Sequence, residues 1–360
     1  MIYFSRSYAI NPMKSPPRKV LLALILGSLL LVEGCREPQT ESPPIAPDPV
    51  SPKPLPPEII GPRNHRELTH IFQSHDYDLD TVHKGVPPLV LNTLPKDLHQ
   101  VGEINDRKRL FFLSVLPMVL MANGEISTQR ETIIELFDRF DRGETLSEEQ
   151  VELVELTGRE YKVEGSPLLD PGVRKKLLQR VDIIPPSMAL AQAASESAYG
   201  TSRFARVGNN LFGEWTFLPG TGLVPEGRPE GETYEVKRFS SLYLSVKSYM
   251  KNLNTHRAYQ SLREKRARLR NQGKPLRGTD LASGLYLYSI RQEAYVEEIL
   301  TIIKNNRLSH LATAVLRRFQ SDENPDVPRE PLQAGLLSTG KQASRKQNNP
   351  ASPPQITETD

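Results

Sequence analysis

One cysteine in 360 residues, Cys35, leaves no internal disulfide framework and no thiolate cluster to hold a fold together. The core must come from apolar side chains, and 38% apolar content in a chain this long suffices for one sizeable core or one core plus an accessory unit. Neither sign of charge dominates: 46 Lys and Arg stand against 43 Asp and Glu, and a net +3 excludes a dedicated nucleic-acid binder. The seven histidines are scattered without ligand spacing, so no metal is expected. A glycine-rich phosphate loop is missing, and no nucleophile elbow surrounds Ser195 or Ser197. No cofactor is expected, and no repeat period is evident.

Long apolar runs are scarce too. The clearest, Val20 to Val32, is too short to span a bilayer comfortably, and Lys14, Arg18 and Lys19 lead into it. That pattern reads as a secretory signal, with Met13 an alternative start. The run ends Val32-Glu33-Gly34-Cys35, which resembles a bacterial lipobox although Glu33 departs from the usual small residue. Residues 1–35 are therefore expected to be a signal peptide and lipobox with Cys35 lipidated. A plain cleaved signal or an uncleaved anchor is the alternative. Lipidation implies a membrane partner through the N-terminal anchor, since two or more acyl chains hold stably. By analogy with lipoprotein sorting, Arg36 carries no inner-membrane retention signal. The expected place is the bacterial cell envelope, as an outer-membrane lipoprotein facing the periplasm.

Proline, by contrast, is plentiful near the ends. Residues 36–63 form a Pro-rich stretch, expected to be an extended, disordered tether, and 321–360 a disordered polar tail. Between them the patterning is helical. Asp106 to Asn123 reads as a buried helix kinked or restarted at Pro117, with a new helix beginning at Ser127 or Thr128. Ser147 with Gln150 forms a capping box, and Asp170-Pro171 starts a helix to Val181. Asp182 to Pro186 is an extended joint opening another helix. A Gly, Pro and Glu-rich loop from Leu218 leads into a strand alternating at Tyr234, Val236 and Arg238. Helices are expected at Leu242–Leu253, Tyr259–Arg270, Thr279–Tyr286 and Ala294–Asn305. Residues 64–181 form a helical region packed on a catalytic domain at 182–320.

The segment Met188 to Gly200 carries the chemistry. It is Ala-rich, a strong helix former, with Gly200 as a stop. Glu196 falls in its last turn, where the helix dipole disfavours a carboxylate and raises its pKa, as a general acid requires. Its neighbours Ala193, Ala194, Ser195, Ser197 and Ala198 are small, so a polymer can approach. By itself, a lone Glu near a helix end is more often a solvated surface residue.

The following residues complete a pattern. Ala191-Gln192-Ala193-Ala194-Ser195-Glu196-Ser197-Ala198-Tyr199-Gly200, followed by Asn210-Leu211-Phe212-Gly213, resembles the glucosaminidase family, glycoside hydrolases of family 73. The resemblance covers about 182–305. For one group within the family it reaches back to about Leu110, on the helix Phe111 to Arg130, Asn209 to Gly213 and Ser248 to His256. It implies a mainly α (α+β) lysozyme-like fold, a helical catalytic domain with a small β-hairpin lobe. It also implies an endo-β-N-acetylglucosaminidase that cuts β-1,4 bonds in cell-wall glycan, with peptidoglycan strands as partner. The family's catalytic acid falls on Glu196, and Asn210 to Gly213 line the cleft. A family tyrosine motif is matched only in part by Tyr288-Ser289 and Tyr295. Ile290 to Ala294 replace its middle and make it one residue longer, and Tyr295 is expected to face the cleft or to be packed at a helix start.

A second carboxylate is less clear. Glycosidases usually pair two, and Glu226, Glu230, Glu232 and Glu235 are available, with Glu230 or Glu232 preferred as preceding the strand. Trp215, Tyr199 and Phe212 are candidate sugar-contacting aromatics, each with a core role as the alternative. The basic run Arg263, Lys265, Arg266, Arg268 and Arg270 reads as a solvated helix face or one attracted to anionic polymer. A lytic transglycosylase and a weakly active or inactive peptidoglycan-binding lipoprotein are the competing functions.

Overall fold

The computed structural model describes residues 55–318. The signal segment, Cys35, the tether as far as residue 54 and the whole of the expected tail at 321–360 lie outside the described residues. The tether's expected end at residue 63 is corrected: Glu58–Ile60 is a strand, β1, paired in parallel with β2 (Leu89–Leu91). Ile59 at the centre of β1 is exposed, whereas all of β2 is buried. Pro56 and Pro57 end the extended run just before the strand begins.

Helix α1 (His65–Ser74) is capped by Asn64, whose side chain accepts from the Glu67 backbone. It leads into α2 (Ile104–Asp141), a single 38-residue helix. The helix does not restart at Pro117, and the new start expected at Ser127 or Thr128 does not occur. Proline removes the N–H that should bond the Leu113 carbonyl. In its place the buried Tyr77 hydroxyl donates to Leu113 O at 3.1 Å. A side chain from outside the helix thus fills the one acceptor that proline orphans, and the helix runs on. No local pattern around Pro117 carries that information. Length and apolarity of α2 would suit a membrane crossing, but Leu110 to Leu120 are buried inside the protein.

Then follow α3 (Glu148–Glu160), with the expected Ser147–Gln150 capping box, and α4 (Pro171–Arg180), capped by Asp170. α5 (Pro186–Ser197) and α6 (Arg203–Gly208) precede a three-stranded antiparallel sheet ordered β3-β5-β4: Trp215–Thr216, Glu235–Lys237 and Gly222–Leu223. α7 (Leu242–Thr255), α8 (Gln260–Asn271), the short α9 (Gly278–Leu281) and α10 (Glu293–Asn305) complete the helices. The architecture is mainly α with two small sheets.

Two apolar clusters lie inside. The larger joins Leu110 to Ala122 of α2 with α5, α7, α10 and β2. The smaller joins the C-terminal half of α2 with α3, α4 and Tyr161. The expected boundary at residue 182 therefore does not divide the cores: α2 belongs to both, and α5 packs directly on α2 and α10.

The joint before α5 is fixed by an unusual set of side chains. Asn123 of α2 donates to Ile184 O and accepts from Ile184 N at 2.7 and 3.0 Å, imitating a strand pair. Asn254 donates to Asp182 O. Arg266 donates to the carbonyls of Gln179, Asp182 and Ile183 and to Asn254 Oδ1. The expected solvated face of α8 is corrected here: Arg263 and Arg266 are 4% and 0% exposed. They supply buried donors to the carbonyls of the joint and of the end of α7.

Candidate active site

The helix α5 is buried along nearly its whole length, from Pro186 to Ala194 and at Ser197. Its small side chains permit close approach of α2 and α10. It ends abruptly, because Ala198, Tyr199 and Gly200 take φ values of +50°, +53° and +77°. Only glycine fits the third: a Cβ on Gly200 would come 2.5 Å from Leu94 Cδ1 and 3.0 Å from Phe111. The stop leaves Glu196 in the last turn of the helix, as the sequence indicated.

Burial pushes the Glu196 carboxyl up from its ordinary value. A hydrogen bond from Tyr295 pulls it back, the Glu298 charge pushes it further up, and Arg291 pulls it down. Tyr295 sits on the first turns of α10 and is 0% exposed. Its hydroxyl accepts from Gln192 Nε2 at 3.1 Å, and Gln192 Oε1 accepts from Tyr249 Oη at 2.7 Å. Tyr288 lies flat on Tyr295, ring centroids 5.3 Å apart, and donates to Phe212 O. The two ends of the incomplete tyrosine motif are therefore stacked on each other, and the longer intervening segment loops out with Ile290 exposed. Of its two expected positions Tyr295 takes the packed one at a helix start: with no exposed surface it does not face the cleft, and it acts on Glu196 from within the core.

The loop from Asn210 to Glu214 forms the opposite wall. A Cβ on Gly213, at φ +65°, would come 3.4 Å from Glu196 Oε2. Two expected substrate contacts are corrected on this loop. Asn210 is 1% exposed and spends its amide on the chain itself: it donates to Glu214 O and Lys237 O and accepts from the backbone of Phe212 and Glu214. The Phe212 ring is 2% exposed and stacked on Tyr249 at 3.8 Å, so neither face is free for a sugar. Both residues set where Gly213 passes Glu196.

Trp215 on β3 is 48% exposed, edge-on to Tyr234 at 4.7 Å, and does have a free face. Tyr199 is half-buried between Phe111, Phe112 and Lys108. Glu230 and Glu232 are exposed in the loop between β4 and β5, and their carboxylates have no hydrogen bond or ion pair among the described residues. They are not the acids whose charge acts on Glu196. Glu235 is turned away from that role too, accepting from the Gly220 and Gly222 backbones.

Two carboxylates near the site were not picked out from the sequence. Glu298 accepts from Ser195 Oγ at 2.5 Å and pairs with Arg291 at 2.6 Å. Its only signal is its position three residues after Tyr295, on the same helix face. Glu214 follows the Asn-Leu-Phe-Gly motif directly. Burial raises its pKa, and its Oε2 accepts from Ser248 while Oε1 is buried without a partner. Among the described residues no group of three His, Cys, Asp or Glu gathers as a metal site.

Comparison with known proteins bears on the family of the chain. A glucosaminidase family model, described as mannosyl-glycoprotein endo-beta-N-acetylglucosaminidase, matches residues 173–308. Protein bax of Escherichia coli (strain K12) is 34% identical over 216 residues, 60% of this chain and 75% of that protein. Among solved structures, the catalytic domain of the autolysin Auto from Listeria monocytogenes is similar at 19% identity, over 48% of this chain and 94% of that one, with a TM-score of 0.28.

Proposed function

The chain belongs to the glucosaminidase family, and on that premise we propose that it is a peptidoglycan hydrolase, an endo-β-N-acetylglucosaminidase acting through Glu196. The observation that carries this reading is a carboxyl whose pKa is raised by burial at the end of α5, against a glycine that leaves room for a sugar. A protonated Glu196 gives its proton to the glycosidic oxygen as the bond to the anomeric carbon breaks. The exposed Trp215 face offers a platform for a sugar ring. Glu298, with its two oxygens engaged by Ser195 and Arg291, supplies negative charge that favours the protonated state of Glu196.

Purified protein should release fragments with reducing N-acetylglucosamine ends from isolated sacculi. Fragments ending in anhydromuramic acid, separable by mass, would instead identify a lytic transglycosylase. That alternative is favoured by one observation: Glu298, the carboxylate acting on Glu196, is already ion-paired. Sacculus binding without product release would support a binding protein that keeps the fold but does not cut. For location, the basic-then-apolar leader and Cys35 support export and a lipid anchor in the cell envelope. Metabolic labelling with a radioactive fatty acid tests the anchor, and Cys35→Ala should remove the label.

Tyr295 provides a finer test. Its hydrogen bond lowers the Glu196 pKa, so Tyr295→Phe should raise it. Activity needs the protonated acid and is lost as pH rises through that pKa, so the falling limb of kcat/KM should move to higher pH in the variant. A limb that stays in place or moves down would remove Tyr295 from the acid's environment.

A further inference from the structure

We propose that the cavity beside Tyr199 is a subsite for the peptide branch of the glycan, a chain carrying carboxylates and backbone amides. The proposal rests on the peptidoglycan reading above and names which part of that polymer the protein recognises.

The cavity measures about 820 Å³ and lies between the start of α2, the end of α10 and the segment around Leu79 to His83. Tyr199, three residues after Glu196, adjoins the cavity through two of its lining side chains. Lys108 Nζ stands 5.2 Å from the Tyr199 ring centroid, and the Phe112 ring packs against the same tyrosine at 5.8 Å. Lys108, Phe112 and Asn306 all line the cavity. Along α10, Glu298 beside the acid and Asn305 at the cavity are seven residues apart. That is two turns on one face, or about 10 Å. A peptide attached to the sugar next to the cleaved bond crosses that distance in about three extended residues.

The chemistry of the lining matches such a branch. Lys108 and Arg307 have no acidic partner among the described residues, whereas Arg109 is held by Asp78 and Asp80. Asn105 and Asn305 add amide groups suited to a peptide backbone. Asp106, also without an ion pair among the described residues, provides one acceptor for an amine. A bare glycan strand offers those cations only the lactyl carboxylate of each muramic acid, held at the sugar, while a peptide carries its carboxylates and backbone amides out to the distance of this cavity.

Arg307 adds an independent sign. It follows the C-cap of α10 with φ +52°, a left-handed position at a helix end where glycine is favoured. Holding an arginine in that conformation carries strain, and such strain gathers where a side chain is needed in place.

The test compares sacculi with the same glycan after an amidase has stripped its peptides, using the full chain. Wild type should cut peptide-bearing strands in preference. In Lys108→Ala with Arg307→Gly the preference ratio should fall about tenfold, toward one and through KM. Arg307→Gly relieves the backbone, so folding is preserved. A variant that retains the wild-type ratio overturns the proposal, and so does a wild type with no preference. A second arm titrates the protein with a soluble disaccharide-peptide and with the disaccharide alone. If wild type cuts neither polymer, the hydrolase reading fails. The subsite then stands or falls on whether the peptide-bearing fragment binds more tightly and loses that advantage in the variant.

Discussion

Replacing Glu196 with glutamine is expected to reduce glycan cleavage about a thousandfold while leaving the fold at least as stable. The first half follows from the loss of the only proton that the end of α5 presents to the cleft. The second follows from the sign of its pKa shift. Folding raises the carboxyl above its ordinary 4.5, chiefly by burial. Such a group favours the folded state fully below its unfolded pKa and costs stability as pH rises through the folded one. At neutral pH the charged Glu196 is therefore a burden that glutamine removes. Thermal unfolding of Glu196→Gln should match or exceed wild type at pH 7, and the difference should close below about pH 4. A variant that unfolds early and also fails to cut would mean that Glu196 holds the structure together rather than donating a proton.

The largest stability effect is expected at Arg266, far from the chemistry. Arg266→Ala should cost about 3–5 kcal/mol, read from urea unfolding midpoints. The side chain is 0% exposed and donates to three backbone carbonyls and to Asn254. It also stands 3.6 Å from Asp182. Alanine would take the arginine donors away from those carbonyls, leaving Asp182 O with Asn254 alone, while the Asp182 carboxylate would keep Arg270 as its hydrogen-bonded partner at 2.6 Å. Burial works to raise the Asp182 pKa, but Arg266, Arg270 and Arg130 together hold it below the ordinary value. A depressed carboxylate stabilises the fold above its unfolded pKa, and that contribution disappears as pH falls through the folded value. The penalty for Arg266→Ala should therefore shrink in strong acid. A loss under 1 kcal/mol at pH 7 would contradict the burial account.

Local sequence carried the elements whose causes are local. The Ser147–Gln150 box, the Asp170-Pro171 start and the glycine stop after Glu196 each depend on residues within a few positions of one another, and each stands where it was expected. What depended on distant partners was misjudged. Pro117 looked like a break because the Tyr77 hydroxyl that rescues Leu113 O comes from outside the helix. Arg266 of α8 looked solvated because the carbonyls it serves lie more than eighty positions earlier, around Asp182. Around the acid, the Asn-Leu-Phe-Gly motif pointed to the right loop but to the wrong use of its side chains. Asn210 and Phe212 face inward, and it is the Gly213 backbone that borders Glu196. Glu298 was invisible because only the packing of α10 on α5 brings it to Ser195.

The two margins of the described chain are stitched together. Val86 N donates to Val315 O, Arg317 N donates to Val86 O, and the Arg317 guanidinium closes on the carbonyls of His75, Asp76 and Gly85. These contacts join positions more than 200 apart in sequence, so they form only when almost the whole chain is available. Loop-closure entropy delays such a seam. During synthesis, α2 emerges early with its apolar face unpaired, and it waits for α5, α7 and finally α10. Completion of the fold thus waits for the segment around Arg317, which leaves a long interval in which the emerging chain has not yet closed its core.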